Sequence, residues 1–278
     1  MRKKSSVFRR KLTYEPPNPI PKVNHLDLFS GIGGFALAID NIFYEEKNEH
    51  IFCDNEPFAQ AVLKKHWPEA EIFGDITAFS PTDPTDIITG GFPCQDISNA
   101  RSWTTQGEFI EQGIRGKRSG LWTEMARIIK ATKPKFVVIE NVPALVKKGL
   151  RTVLRDLHAI GYDAEWEIIS AAYVGAPHLR KRCFVVAYPI GFGRKQESII
   201  FSQITRQTIR QTPQWESSRT IRKEDGKKTL PESFGILDGL PRKLHDAERI
   251  KSLGNSIVPQ VAMEILQAIK DTPLRRNQ

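Results

Sequence analysis

Long apolar runs are missing from this 278-residue chain. No stretch of about 18 apolar residues occurs, so no transmembrane helix is expected. Cysteine is scarce as well, with Cys53, Cys94 and Cys183 as the only three. The number is odd, the spacings are long and there is no C-x-x-C, which speaks against a zinc ribbon or a disulfide framework and fits a reducing, cytoplasmic setting. The early basic residues Arg2, Lys3, Lys4, Arg9, Arg10 and Lys11 are followed by no apolar stretch, which excludes a secretory signal. Internal repeats are absent. Acidic charge is outnumbered, with 32 Asp and Glu against 41 Lys and Arg, leaving a net charge of +9. Such a balance suits a polyanionic partner such as nucleic acid, and by itself suits an ordinary basic globular protein equally well.

What is present is a regular alternation. Residues 1–22, ending in Pro16-Pro17-Asn18-Pro19-Ile20-Pro21, read as a basic, Pro-rich tail. From Val23 onward, strand-like runs at 23–29, 50–53, 72–73, 86–89, 135–140, 164–172 and 183–188 alternate with helical patterns at 33–39, 57–66, 119–131, 149–160 and 257–269. This repetition predicts an α/β fold built on a doubly wound, mostly parallel sheet. The expected units are a catalytic and cofactor-binding domain over 23–190, a small target-recognition region over 191–240, and a segment over 241–278 that returns to the first domain. The middle region is polar, with nine basic residues against four acidic ones between 194 and 228. It reads either as a poorly ordered insertion or as a surface rich in phosphate- and base-contacting side chains.

Three places carry chemistry. The first strand runs into Ser30-Gly31-Ile32-Gly33-Gly34, where glycines let the backbone approach a ligand and a helix N-terminus offers free N–H groups. Gly31, Gly33 and Ala36 satisfy G-x-G-x-x-A, with the acids Asp54 and Glu56 at the end of the next strand, a pattern shared by dinucleotide and other adenosine cofactor sites. Asp75, in Gly74-Asp75-Ile76, is either an adenine contact or a turn residue. Cys94 follows Pro93 on a loop after a buried strand, a place that can support a reactive thiolate, whereas Cys53 and Cys183 fall inside strands and are assigned to the core. Glu140 ends another strand and is either a turn carboxylate or, if buried, an acid with a raised pKa.

Taken in order, these segments resemble the DNA cytosine-C5 methyltransferases of bacterial or phage type. Asp27 to Phe35 resembles the first cofactor motif, Asn55-Glu56 and Gly74-Asp75-Ile76 the ribose and adenine contacts, and Gly91-Phe92-Pro93-Cys94-Gln95 the nucleophile motif. Glu140-Asn141-Val142 resembles the acid motif, His178-Leu179-Arg180-Lys181-Arg182 the arginine motif, and Gly254 to Gln260 the last motif. The resemblance implies the Rossmann-like methyltransferase fold with S-adenosyl-L-methionine as cofactor and double-stranded DNA as partner. It implies Cys94, Glu140, Arg182 and Arg180 as catalytic residues, and Phe29, Ser30, Gly31, Gly33, Gly34, Glu56, Asp75 and Asn255 as cofactor contacts. Gln95, Ser98 and Arg118 are the implied DNA contacts. A monomer, a cytoplasmic location and a cognate restriction endonuclease complete the expectation, with no metal and no membrane. Four departures stand out: His178 replaces the usual Gln, Pro57 replaces an aromatic, Asp238 to Arg242 occupies the place of the penultimate motif, and Asn99 to Lys117 carries extra residues. RNA methylation by the same chemistry, a catalytically silent DNA-binding relative and a nicotinamide-dependent oxidoreductase are the alternatives.

Overall fold

The computed structural model describes residues 22–81, 83–93, 121–176, 178–191, 200–208 and 252–272. Val23 enters β1 (Asn24–Leu28), and the chain then forms α1 (Gly34–Ile42), β2 (Glu49–Cys53), α2 (Pro57–His66), β3 (Glu71–Phe73) and β4 (Ile87–Gly90). From Leu121 onward come α3 (Leu121–Thr132), β5 (Phe136–Asn141), the single turn α4 (Leu145–Lys148), α5 (Leu150–Ala159), β6 (Tyr162–Ser170), β7 (Lys181–Pro189), α6 (Phe201–Thr208) and α7 (Pro259–Asp271). The seven strands make one sheet in the order β3-β2-β1-β4-β5-β7-β6. β1 to β5 pair in parallel, while β7 runs antiparallel to both β5 and β6. The carboxyl ends of β1, β4 and β5 therefore share one edge, where open α/β sheets bind ligands.

Alternation along the strands divides the core between the two faces. Leu26, Leu28, Ile88, Val137, Ile139 and Val185 pack against Met125, Ile128 and Ile129 of α3 and Val153 and Leu157 of α5. Ile87, Phe136, Val138, Phe184 and Val186 pack against Phe35 and Ile39 of α1 and Ile265 and Leu266 of α7. β5 is buried along its whole length, as a central strand covered on both faces must be.

Several boundaries differ from the sequence pattern. β6 stops at Ser170, whose side chain accepts a hydrogen bond from Ala172 N at 3.3 Å and starts a tight 3-10 turn, Ala171–Val174, closed by Gly175 at φ 83°. α7 begins at Pro259, two residues later than the apolar pattern does, because proline fits the first helical position and has no N–H to lose there. α6 falls inside the segment expected for target recognition, yet Ile200, Phe201 and Ile204 are buried in the core with α7. The rest of that segment, from 209 to 240, lies outside the described residues, as do the tail through 21 and residues 241–251.

Gly33 shows how tightly the loop after β1 is fixed. Its φ is 82°, and a Cβ built there would sit 2.5 Å from the Trp67 ring. Gly33→Ala is expected to destabilise the fold by roughly 2–4 kcal/mol, the sum of a left-handed backbone cost and overpacking. Urea unfolding of the two proteins checks this; an unchanged midpoint would contradict it.

Candidate active site

The loop between β1 and α1 is held to the end of β2 by its backbone and by the Ser30 hydroxyl. Phe29 adopts a left-handed φ of 57°. Its N–H donates to Cys53 O at 2.7 Å. Ser30 Oγ donates to Asp27 O at 2.6 Å and accepts from Cys53 N at 3.2 Å. Asp54 Oδ2 accepts from Gly31 N at 2.8 Å, and its Oδ1 accepts from Glu56 N at 2.9 Å. The outer side of the loop is open, since a Cβ on Gly31 would meet nothing within 4 Å. Gly34, at the start of α1, packs under Ile257, which a Cβ would meet at 2.8 Å. Asn255 stands exposed just before, in a short helical stretch at 252–255.

At the end of β3, Asp75 Oδ1 accepts from both Thr77 N and Thr77 Oγ1, at 2.8 and 2.7 Å. These bonds hold its carboxyl below the ordinary aspartate range. Asp75 thus takes part in a tight turn onto Thr77. It borders a cavity of about 410 Å³ lined by Phe73, Gly74, Asp75, Ala78, Phe79 and Ser80. The Phe73 and Phe79 rings lie 4.6 Å apart, giving the cavity an aromatic wall.

The second cluster sits at the ends of β4 and β5. Glu140 is buried, and burial pushes its pKa up; the nearby Arg182 and Arg180 charges pull against that shift. Arg182 Nε lies 2.7 Å from Glu140 Oε1 as an ion pair. Arg180 donates from Nη2 to Ser256 O at 2.6 Å, which ties the start of β7 to the segment before α7. The chain leaving β4 is clamped over Glu140. Asn141 Nδ2 donates to Phe92 O at 3.1 Å, and a Cβ on Gly91 would stand 3.1 Å from Glu140 Oε2. Two residues beyond Phe92 comes Cys94, which lies outside the described residues together with Gln95, Ser98 and Arg118. The other two cysteines are buried, and burial pushes both thiols up to about 12, in keeping with core roles. Among the described residues no group of His, Cys, Asp and Glu is arranged to hold a metal ion, and no helix is long and apolar enough to cross a membrane.

Sequence reasoning left one feature unassigned. Asp27, His25 and Thr89 are buried polar residues on one face of β1 and β4, beneath α1. Burial pushes Asp27 up to about 8; the bond from Thr89 opposes this and the Asp54 charge adds to it. Its Oδ2 is buried without a hydrogen-bond partner. Between about pH 4, where the unfolded aspartate titrates, and about pH 8 the folded chain holds a proton that the unfolded chain has lost. Stability from this group is thus full below that window and falls as pH rises through it. Asp27→Asn removes the titration. Its stability relative to the parent is expected to rise by about 1–3 kcal/mol between pH 5 and pH 8. Urea titrations at the two pH values measure this, and a constant difference would refute it.

A doubly wound sheet with a reversed strand next to its edge, a glycine loop after the first strand and a Glu–Arg pair at the same ligand-binding edge belongs to the methyltransferase type of α/β fold. Residues 23–233 match the family described as C-5 cytosine-specific DNA methylase, and the chain belongs to that family. It is 32% identical over 186 residues to the Type II methyltransferase M2.BsuMI of Bacillus subtilis, which covers 64% of this chain and 44% of that protein. It is 36% identical over 166 residues to the Type II methyltransferase M.CviJI of Paramecium bursaria Chlorella virus IL3A, covering 58% and 42%. The match spans less than half the length of these curated relatives. The fold is similar to that of the S. pombe Dnmt2 methyltransferase, with TM-score 0.52 and 19% identity over 66% of this chain and 54% of that one. It is similar also to the Entamoeba histolytica methyltransferase EhMeth, with TM-score 0.50 and 21% identity over 66% and 59%.

Proposed function

We propose that this chain is a DNA cytosine-C5 methyltransferase that uses S-adenosyl-L-methionine and acts on one short duplex sequence. The observation that carries the reading is the clamp at the β4–β5 edge: the backbone leading into Cys94 is bonded to Asn141 and lies against Glu140, which is itself paired with Arg182. Family membership supports it.

The cofactor residues suit an adenosyl group. The backbone from Phe29 to Gly34 and the α1 N-terminus would receive its polar end, Glu56 its ribose and Asp75 its adenine, beside the Phe73–Phe79 wall; Asn255 would close the site. The bound cofactor supplies an electrophilic methyl group. The protein's part is to make cytosine C5 nucleophilic. The base leaves the stack, because C5 and C6 cannot be reached inside it. Cys94 as thiolate adds to C6, forming the S–C bond, while Glu140 gives its proton to N3, so the ring becomes an enamine. Arg182 holds the cytosine O2 and Arg180 supports the loop. C5 would take the methyl group as its bond to the sulfonium breaks, leaving S-adenosylhomocysteine; C5 then loses its proton to a base, the thiolate leaves and N3 returns its proton to Glu140, which restores the aromatic ring. Gln95, Ser98 and Arg118 contact DNA, and the basic region within 191–240 reads the sequence. The enzyme works as a monomer inside the cell, and a cognate restriction endonuclease is its partner.

Conversion sequencing of plasmid DNA from a host without its own cytosine methylases, expressing this chain, tests the proposal. Protection of cytosines in one recurring short sequence is the expected result. No protection from a folded protein that binds S-adenosylmethionine would overturn DNA as the substrate, and methylation of tRNA instead would identify the substrate as RNA.

A further inference from the structure

A chain of buried hydrogen bonds runs across the face of the sheet beneath α1. Asp40 Oδ1 on α1 lies 2.9 Å from His50 Nε2 on β2. His50 Nδ1 lies 2.9 Å from His25 Nδ1 on β1, its cross-strand partner. His25 Nε2 lies 2.8 Å from Thr89 Oγ1 on β4, and that hydroxyl lies 2.5 Å from Asp27 Oδ1, its cross-strand partner. His25, His50, Thr89 and Asp27 are all buried, whereas the Asp40 side chain is 39% exposed. His25 and His50 also line a cavity of about 670 Å³ with Trp67, Asn48 and Lys47, at the edge of the sheet opposite the glycine loop. One end of the chain thus meets solvent and the other lies under the loop, where Asp27 O accepts from Ser30 Oγ.

Each of the four links needs one hydrogen, and the heavy atoms admit two directions. In one, His50 donates from both ring nitrogens, His25 donates from Nε2, Thr89 donates to Asp27, and Asp27 is ionised opposite a His50 imidazolium. In the other, Asp27 is the acid and donates to Thr89, Thr89 donates to His25 Nε2, His25 donates from Nδ1 to His50, and neutral His50 donates from Nε2 to Asp40. Both hold the same number of protons; as pH rises the chain takes the first direction and gives up the His50 Nε2 proton to solvent at its Asp40 end, which leaves Asp27 ionised, His50 neutral and the His25 proton on Nε2. Going from the first to the second, the proton on His50 Nδ1 passes to His25 Nδ1, that on His25 Nε2 to Thr89, and that on Thr89 to Asp27.

We propose that His50, His25 and Thr89 are a buried proton relay joining Asp40, at the solvent end, to Asp27 under the cofactor loop, so that cofactor binding and the charge on Asp27 are coupled. The link to the cofactor rests on the methyltransferase reading; the relay itself does not. The resting direction has Asp27 as the acid. An ionised Asp27 would leave a buried Oδ2 with charge and no partner, a larger cost than a neutral carbonyl there. The surroundings agree. Burial holds His25 well below the usual imidazole range. Burial pushes Asp40 up, but bonds from His50, Trp67 and Asn48 outweigh it and hold the carboxyl at about 2. Asp54, after β2, is the other charge that bears on Asp27. Lys270 of α7 is turned away, to Glu45 and Ile42 O.

The test is the imidazole 15N spectrum of the full chain labelled in histidine, followed from pH 6 to pH 10. The expected result is His25 with its proton on Nδ1 at low pH, moving to Nε2 as Asp27 ionises. Thr89→Val, which keeps the volume and cuts the path, should hold His25 in one tautomer throughout, and Thr89→Ser should restore the switch. S-adenosylmethionine, whose sulfonium is positive, should move the switch to lower pH and bind at least about fivefold tighter above it. Neutral S-adenosylhomocysteine should do neither. A His25 tautomer that is constant in the parent protein, or one that still switches in Thr89→Val, overturns the relay. A normal switch with no binding of S-adenosylmethionine overturns the methyltransferase reading and leaves the relay standing.

Discussion

Cys94→Ala is expected to lower methyl transfer by at least about four orders of magnitude while leaving the affinity for S-adenosylmethionine within about twofold of the parent. The reason lies in the division of labour at the sheet edge. The cofactor residues belong to the ends of β1, β2 and β3 and to the segment before α7, whereas Cys94 continues the chain leaving β4. Removing its thiol takes away the only group proposed to bond to C6 and touches none of the loop bonds made by Ser30, Asp54 and Cys53. Without that bond C5 is a weak carbon nucleophile, and correct positioning alone does not replace it. Single-turnover methylation of duplex DNA, with equilibrium dialysis of the cofactor, measures both quantities. Retained turnover would overturn the covalent mechanism.

Glu140→Gln is expected to lower kcat by about 10²- to 10⁴-fold, the range for loss of a positioned general acid. Gln keeps the shape and still donates a hydrogen bond toward a ring nitrogen, but it has no proton to give. The buried setting of Glu140 is what suits it to the task, because burial raises its pKa against the pull of Arg182 and Arg180. The parent's rate should therefore fall as pH rises through that elevated pKa, since the acid form is the active one, and Glu140→Gln should lose this limb of the profile. Cofactor affinity should not change. Equal losses in rate and in cofactor binding would show instead that the substitution had disturbed the sheet edge as a whole.

The motifs were legible because each rests on local chemistry. Glycine at 33 is required by a left-handed backbone and a close ring, proline at 259 by a helix start, and the apolar run 136–139 by a strand covered on both faces. The buried polar chain was not legible. His25, Asp27, His50 and Thr89 read in sequence as single polar residues within strands, and they become one network only when register places His25 opposite His50 and Asp27 opposite Thr89. The alternation of His25 and Asp27 with Leu26 and Leu28 was the one available signal, and it gives a face without a partner. The position of β7 between β5 and β6 was likewise hidden, because strand order depends on which edge the last hairpin packs against. What the sequence determined by itself was the alternating α/β plan, the glycine loop and the order of the Cys94, Glu140 and Arg182 segments, since these follow from residue types and short spacings. Only the tertiary structure decided that Glu140 is buried beside Arg182 under the backbone of Gly91 and Phe92, and that Asp27 shares a hydrogen-bonded chain with Asp40. Burial and cross-strand register belong to the packed sheet, and it is burial that raises a carboxyl's pKa and register that joins distant side chains.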